Sequence, residues 1–137
     1  MPQRASIITN ILFTAVIAGA LAGCKPDASP RAEEALKWTN SFYTRYAIRG
    51  GWGFFGAEAR GENVVLFINV PETQAQQLMV FDDERQANFI AGNVCPPVDQ
   101  EIWSILNYNG DVIVQARRDG NPFSQVSCKT RKKGAIQ

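Results

Sequence analysis

The sequence predicts an α+β fold, and three observations lead to it. Apolar residues recur at spacings of three and four between Ala32 and Tyr46, which is typical of a helix packed on one face. Two pairs of β-prone segments flank turn-forming residues, which predicts two hairpins. The length of 137 residues, 45% hydrophobic and 20% charged, suits a single globular domain. We therefore expect a helix–hairpin–helices–hairpin order, forming one four-stranded antiparallel sheet with helices on one face and a disulfide.

The first helix is predicted to begin at Pro30. Ser29 can cap the helix, and proline is tolerated at the first helical position because its missing N–H has no partner to lose there. The pattern continues to about Arg49, where Gly50-Gly51 ends the helix.

The first hairpin is predicted from strands at 52–59 and 64–70, joined by a turn at 60–63. The unbroken apolar run at 64–68 indicates a strand that is central in its sheet. Glycines at 51, 53 and 56 interrupt the first strand, which favours a bulge over a place where a ligand approaches.

The middle of the chain is predicted to be helical. Pro71 opens a stretch that extends to Met79, and Asp82 or Asp83 can cap a second helix at 84–91. Asp99 is expected to cap a third, short piece that carries four large apolar residues, Ile102, Trp103, Ile105 and Leu106.

The second hairpin is predicted from strands at 112–117 and 123–128 around a turn at 118–122. Its first strand contains Gln115-Ala116-Arg117, which echoes Glu58-Ala59-Arg60 in the first hairpin. A helix with a tryptophan precedes each hairpin, so the chain also suggests two similar halves that together build the sheet.

The N-terminal segment has a different pattern from the domain. Arg4 is its only charged side chain, and an uncharged apolar run from 11 to 21 ends in Leu21-Ala22-Gly23-Cys24. The run is too short for a retained membrane span, which needs about 20 residues, and its length and small final residues fit a cleaved signal. The pattern resembles the signal peptide and lipobox of bacterial lipoproteins. The alternative is ordinary signal-peptidase cleavage, which leaves Cys24 as a free thiol.

The resemblance implies a domain organisation. Residues 1–23 would be the signal peptide, 24–29 a tether, 30–128 the domain and 129–137 a basic disordered tail. Cys24 would carry palmitate-type acyl chains, so one partner would be the lipid bilayer and the domain would face the periplasm. Lys25 follows Cys24 where enteric bacteria use aspartate for inner-membrane retention, which favours the outer membrane.

The cysteine count is three. If Cys24 carries lipid, Cys95 and Cys128 can pair, and the oxidising envelope favours a disulfide between them. A redox role is the alternative, but catalytic dithiols usually occur as Cys-x-x-Cys, which this sequence lacks.

Few residues are candidates for catalysis or metal binding. The sequence has no histidine, the commonest general base and zinc ligand. The carboxylate clusters Glu33-Glu34 and Asp82-Asp83-Glu84 are more typical of helix caps than of a glycosidase pair, and they lack calcium-loop spacing. We therefore predict no catalytic residues, metal or cofactor. The net charge of +1 also disfavours nucleic-acid binding.

Two sets of residues are candidates for binding. Trp52 and Phe55 form a candidate partner surface, because neighbouring strand side chains point to opposite faces and one of them can lie exposed. The basic tail residues are candidates for contact with anionic lipid or wall polymer, against the alternative of a solvated tail: Lys129, Arg131, Lys132 and Lys133.

The sequence thus favours a non-catalytic envelope lipoprotein that binds or helps to assemble another envelope protein or a wall component. Three alternatives stay open. They are a small wall- or lipid-acting enzyme with paired carboxylates, an inhibitor of a wall-degrading enzyme, and a structural spacer.

Overall fold

The structure, a computed structural model, describes residues 27–132, with side chains described through Thr130. The signal segment and Cys24 lie outside this range. The elements in chain order are α1 Pro30–Arg45, a 3₁₀ turn Arg49–Gly51, β1 Gly53–Arg60, β2 Asn63–Asn69, α2 Glu72–Met79, α3 Asp83–Val94, α4 Ile102–Leu106, β3 Val112–Arg118, β4 Asn121–Ser127 and α5 Cys128–Lys132.

The four strands form one sheet in the order β1-β2-β3-β4. The two predicted hairpins are present and antiparallel, but β2 and β3 pair in parallel, so the sheet is mixed. The prediction of a wholly antiparallel sheet is wrong at this central pair. The physical reason is the long connection through α2, α3 and α4, because a crossover of this length allows two neighbouring strands to run in the same direction.

The two hairpins lie side by side in the sheet, and their leading strands, β1 and β3, run in opposite directions. The suggestion of two similar halves stays a prediction.

The first helix begins where the sequence predicts. The Ser29 side chain accepts a hydrogen bond from the Ala32 N–H at 3.1 Å, and Pro30 occupies the first turn. The helix ends earlier than predicted, because Tyr46 adopts an extended conformation. Gly50 and Gly51 have positive φ angles of 78° and 74°, which glycine adopts without strain, and they turn the chain into β1.

The core lies between one face of the sheet and the helices. Val64, Leu66 and Ile68 alternate along β2 and are fully buried, as are Val112, Val114 and Ala116 of β3. Of the side chains between them, Val65 is also buried, whereas Phe67 and Gln115 are only half-buried. This alternation is typical of a sheet covered by helices on one face, and it leaves the other face partly open to solvent around Phe67 and Gln115.

The predicted disulfide between Cys95 and Cys128 is confirmed. Cys95 ends α3 and Cys128 begins α5, so the bond ties a helix end to the end of the sheet. The predicted boundary of the tail at residue 129 needs correction, since α5 continues to Lys132. Asp111 Oδ1 accepts a hydrogen bond from the Lys129 N–H at 2.8 Å and so caps this helix; residues 133–137 lie outside the described range.

The strands run between two ends of the domain, which we name by one residue each. At the Ser29 end, the Ser29 N–H donates to the Gly61 carbonyl oxygen at 2.8 Å. The strand register places four further segments at this end: the β1–β2 turn, the start of β3, the end of β4 and α5. The Phe55 end is opposite and holds the start of β1, Asn69 and the β3–β4 turn at 118–121.

Among residues 27–132, no helix combines the length and apolarity that crossing a bilayer requires.

Candidate binding site at the Phe55 end

The structure separates the two aromatic residues of the predicted partner surface. Phe55 is 77% exposed, whereas Trp52 is only 4% exposed and belongs to the core. The Trp52 indole N–H donates to Gln74 Oε1 at 2.6 Å, which satisfies its polar atom in the interior. Trp52 is therefore removed from the candidate surface, and Phe55 remains in it.

A bulge in β1 accompanies the exposure of Phe55. The register with β2 shifts between Phe54 and Gly56, and Gly56 has a φ of 130°, a conformation that few other residues adopt. Phe54 packs inward, with its ring stacked on Tyr43 at a centroid distance of 5.4 Å. The neighbouring ring of Phe55 is left in solvent at an edge strand of the sheet.

Phe55 lines a cavity of about 340 Å³ at this end of the sheet. The cavity combines an apolar wall from β1 with polar side chains from β2, β3 and the β3–β4 turn. Its lining residues are Gly53, Phe54, Phe55, Asn69, Arg117, Asp119 and Gly120.

Arg117 is held in place by two neutral neighbours. Its guanidinium lies over the Phe67 ring at 4.1 Å from the centroid, a cation–π contact. Its Nε and Nη2 donate to Gln115 Oε1 at 2.8 and 2.6 Å. Because neither neighbour is charged, these contacts orient the guanidinium without neutralising it. Asp119 supplies a carboxylate to the lining of the same cavity.

This cavity is suited to a ligand that presents hydrogen-bond acceptor oxygens beside an apolar group. A guanidinium binds carboxylate or phosphate oxygens through paired N–H donors, and an exposed aromatic ring contributes apolar contact area. Asn69 adds an amide that can both donate and accept. The site can therefore recognise a partner that presents an anionic or carbonyl group next to an apolar side chain.

The predicted carboxylate clusters act at helix starts. Asp82 caps α3 by accepting the Arg85 N–H at 2.9 Å, and Asp83 and Glu84 lie in the first turn of that helix. Glu33 lies in the first turn of α1. Acidic side chains at these positions stabilise helix N-termini. Within the described part of the chain, no three metal-ligating side chains cluster together.

Sequence reasoning missed a second cavity, of about 420 Å³, beside α1. Trp38, Phe42 and Tyr46 stack along the helix, with centroid distances of 4.6 and 4.7 Å between neighbours. Arg45 and Pro97 also line this cavity. The spacing of four residues is a signal that this stripe runs along one side of the helix, but the sequence does not reveal that its rings are only partly covered.

Sequence reasoning also missed Arg117 and Asn69 in the Phe55 cavity. Alternation along β3 places Gln115 and Arg117 on the same face, which could have indicated their pairing. The juxtaposition with Phe55 could not be foreseen, since it depends on the parallel pairing that sets Asn69 beside Arg117.

The predicted basic residues are only partly within the described range. Lys129 is half-buried, and its Nζ donates to the Tyr108 carbonyl oxygen at the Ser29 end. The side chains of Arg131, Lys132 and Lys133 lie outside the described residues, so their predicted contact with an anionic surface stays a prediction.

The chain matches no protein-family model and no curated protein. Its fold is similar to the crystal structure of a protein from Pseudomonas aeruginosa that is provisionally described as secreted. The TM-score is 0.51 with 13% sequence identity, over 74% of this chain and 94% of the other. At this identity the similarity shows a common fold and nothing about activity.

Proposed function

We propose that this protein is an envelope lipoprotein, acylated at Cys24 in the outer membrane, whose domain binds another envelope component without catalysis. The Leu21-Ala22-Gly23-Cys24 pattern supports the anchor. The disulfide supports an oxidising compartment, because such bonds are rare in the cytosol. The secreted description of the structural relative points in the same direction.

The observation that carries the binding role is the exposed ring of Phe55 in the same cavity as the oriented guanidinium of Arg117. Aromatic and arginine side chains contribute most of the free energy in many interfaces. The partner we propose presents a carboxylate or another anionic group next to an apolar side chain. The location supports the role, since this cavity lies at the opposite end of the domain from Ser29, where the tether joins.

The anchor is tested first by acylation. Cys24→Ala should abolish incorporation of radioactive fatty acid and block processing by signal peptidase II in the native host. Equal labelling of the variant and the unchanged protein would contradict the lipoprotein assignment.

The binding role is tested by affinity capture from host membranes, followed by titration of the captured partner. Phe55→Ser and Arg117→Gln should each weaken binding about thirtyfold, the effect of losing about 2 kcal/mol at a dominant interface residue. Tyr46→Ser is the matched control, because Tyr46 is also exposed but lines the cavity beside α1. If only the Tyr46 variant loses the partner, the binding site is the α1 cavity and the assignment to the Phe55 end is wrong.

A further inference from the structure

The α1 cavity, the cavity of about 420 Å³ beside α1, is lined by two parts of the chain. Trp38, Phe42 and Tyr46 contribute an aromatic row on α1 and its C-cap. Pro97 and Gln100 line the cavity from the segment between α3 and α4. Tyr46 is 61% exposed, and the other two rings are half-buried, so the row keeps ring surface that a ligand can contact.

Both parts of the lining are held in place by contacts within the domain. The Tyr43 hydroxyl on α1 donates to the Val94 carbonyl oxygen at the end of α3. The Trp103 indole N–H donates to the Pro97 carbonyl oxygen at 2.9 Å. The disulfide follows directly after α3 and restrains the same segment. The cavity is therefore preformed, which reduces the conformational entropy lost when a ligand binds.

Side chains in the α1 cavity retain hydrogen-bond donors that the domain does not use. Trp52 and Trp103 donate their indole N–H groups within the domain, whereas the Trp38 indole N–H has no acceptor among the described residues. Four further lining side chains make no hydrogen bond or ion pair with any described residue: Ser41, Arg45, Tyr46 and Gln100. These donors are available to a ligand that offers acceptor oxygens.

The charge in the α1 cavity is positive. Arg45 is the one charged side chain among the described residues that line it, and this lining includes no carboxylate. A fitting ligand therefore offers acceptor oxygens and a negative charge, with few donors of its own. A proline-rich segment has this character, because proline lacks a backbone N–H but keeps its carbonyl oxygen. A glycan fits less well, since its hydroxyl groups also donate and would find no carboxylate in this lining.

The length of the aromatic row also suits a polyproline II helix. The ring centroids are 4.6 Å apart from Trp38 to Phe42 and 4.7 Å apart from Phe42 to Tyr46, which makes the row about 9 Å long. A polyproline II helix rises about 3.1 Å per residue, so one turn of three residues covers about the same length. Segments of this kind dock in aromatic-lined grooves in several domain families.

We propose that the α1 cavity binds a proline-rich segment of another protein, with an acidic residue of that segment beside Arg45. The proline rings pack on the aromatic row, and carbonyl oxygens of the segment accept from the Trp38 indole N–H and the Tyr46 hydroxyl. The carboxylate pairs with the Arg45 guanidinium. The inference goes beyond the proposed function, since it concerns a different cavity and requires neither Phe55 nor an acylated Cys24.

The test titrates the isotopically labelled protein with a synthetic oligoproline peptide that has one central glutamate and blocked termini. In NMR spectra the Trp38 indole N–H resonance should shift on binding, whereas that of Trp52, which is buried and bonded to Gln74, should not. The same peptide with glutamine in place of glutamate should bind about tenfold more weakly, because it loses the charged partner of Arg45. A glycine–serine peptide with the same glutamate should not bind, because it is a flexible coil.

Matched variants locate the binding site. Tyr46→Ser and Arg45→Gln should each weaken binding of the glutamate peptide about tenfold. Both residues are exposed, so both variants should fold. Arg49→Gln removes the same charge in the turn after α1, and Tyr108→Ser removes an equally exposed class of side chain in the loop after α4. These two control variants should bind the peptide as tightly as the unchanged protein.

Three results would overturn the proposal. The first is a Trp38 indole resonance that the oligoproline peptide does not shift. The second is equal affinity for the oligoproline and glycine–serine peptides, or equal weakening by Arg45→Gln and Arg49→Gln. The third is a shift of the Trp38 resonance by oligomers of N-acetylglucosamine and not by the oligoproline peptide, which would assign the cavity to a glycan.

Discussion

Gly110 packs directly against the backbone of Glu62. A Cβ at residue 110 would lie 2.4 Å from the Glu62 carbonyl oxygen and 2.9 Å from Leu106 Cδ2. Backbone cannot move aside as a flexible side chain can. This contact joins the β1–β2 turn to the start of β3 and so helps to close the Ser29 end of the domain.

Gly110→Ala should therefore destabilise the protein by about 1–3 kcal/mol, the usual cost of forcing an extra methyl group into packed structure. Gly92→Ala is the control. Gly92 lies inside α3, and apart from its chain neighbours and the backbone of its own helix no atom lies within 4 Å of the place that an added methyl group would occupy, so alanine should leave stability unchanged or raise it by up to about 1 kcal/mol. Denaturant unfolding of both variants measures the difference. Equal stability of the two would contradict the close approach.

Tyr43→Phe should cost about 1–3 kcal/mol at neutral pH. The Tyr43 hydroxyl donates to the carbonyl oxygen of Val94, and both residues are buried. Removing the donor leaves that carbonyl oxygen without a partner away from water. Tyr46→Phe, on the exposed part of the chain just beyond α1, should be close to neutral in the same unfolding experiment.

Because of Tyr43, we also expect the protein to lose stability in alkaline solution. Burial raises the pKa of Tyr43 well above its usual value, because the phenolate would have to form away from water. In the unfolded chain a tyrosine ionises near pH 10, so above that pH the unfolded state gains stability by about 1.4 kcal/mol per pH unit. The unfolding free energy should therefore fall less steeply with rising pH in Tyr43→Phe than in Tyr46→Phe. Identical slopes between about pH 9 and 11 would show that Tyr43 ionises equally in both states.

The disulfide should contribute about 3–4 kcal/mol, as estimated from the entropy of closing a loop between residues 33 positions apart. Protein purified without reductant should show no free thiol at Cys95 or Cys128 by mass spectrometry. Replacing both with alanine should lower the unfolding free energy by that amount. Two free thiols in the purified protein would contradict the bond.

Much of the fold was predictable because local signals determined it. Ser29 and Pro30 marked the start of α1, and the two hairpin turns were visible from their residues. The parallel pairing of β2 and β3 was not predictable, since both a parallel and an antiparallel neighbour satisfy the apolar pattern of β2. The choice depends on how the long helical connection packs, which no short segment encodes.

The site was predicted only in part for the same reason. Alternation indicated that Trp52 or Phe55 could be exposed, but it did not reveal that Trp52 is buried against Gln74 while Phe55 lies exposed beside a bulge. Arg117 lies in the same cavity as Phe55 only because β1 pairs with β2 and β2 pairs with β3. The capping roles of Ser29 and Asp82 were recognisable because a cap is a local feature, whereas a cavity assembled from β1, β2 and the β3–β4 turn is not.

The central claim is that the Phe55 end binds an envelope partner, and site-specific photocrosslinking in intact host cells tests it most directly. A photoreactive phenylalanine analogue is placed at position 55, or at position 108 at the opposite end. We predict one discrete protein adduct from position 55 that disappears when Arg117→Gln is added, and no such adduct from position 108. An adduct of the same mass from both positions, or none from position 55 in correctly acylated protein, would contradict the account.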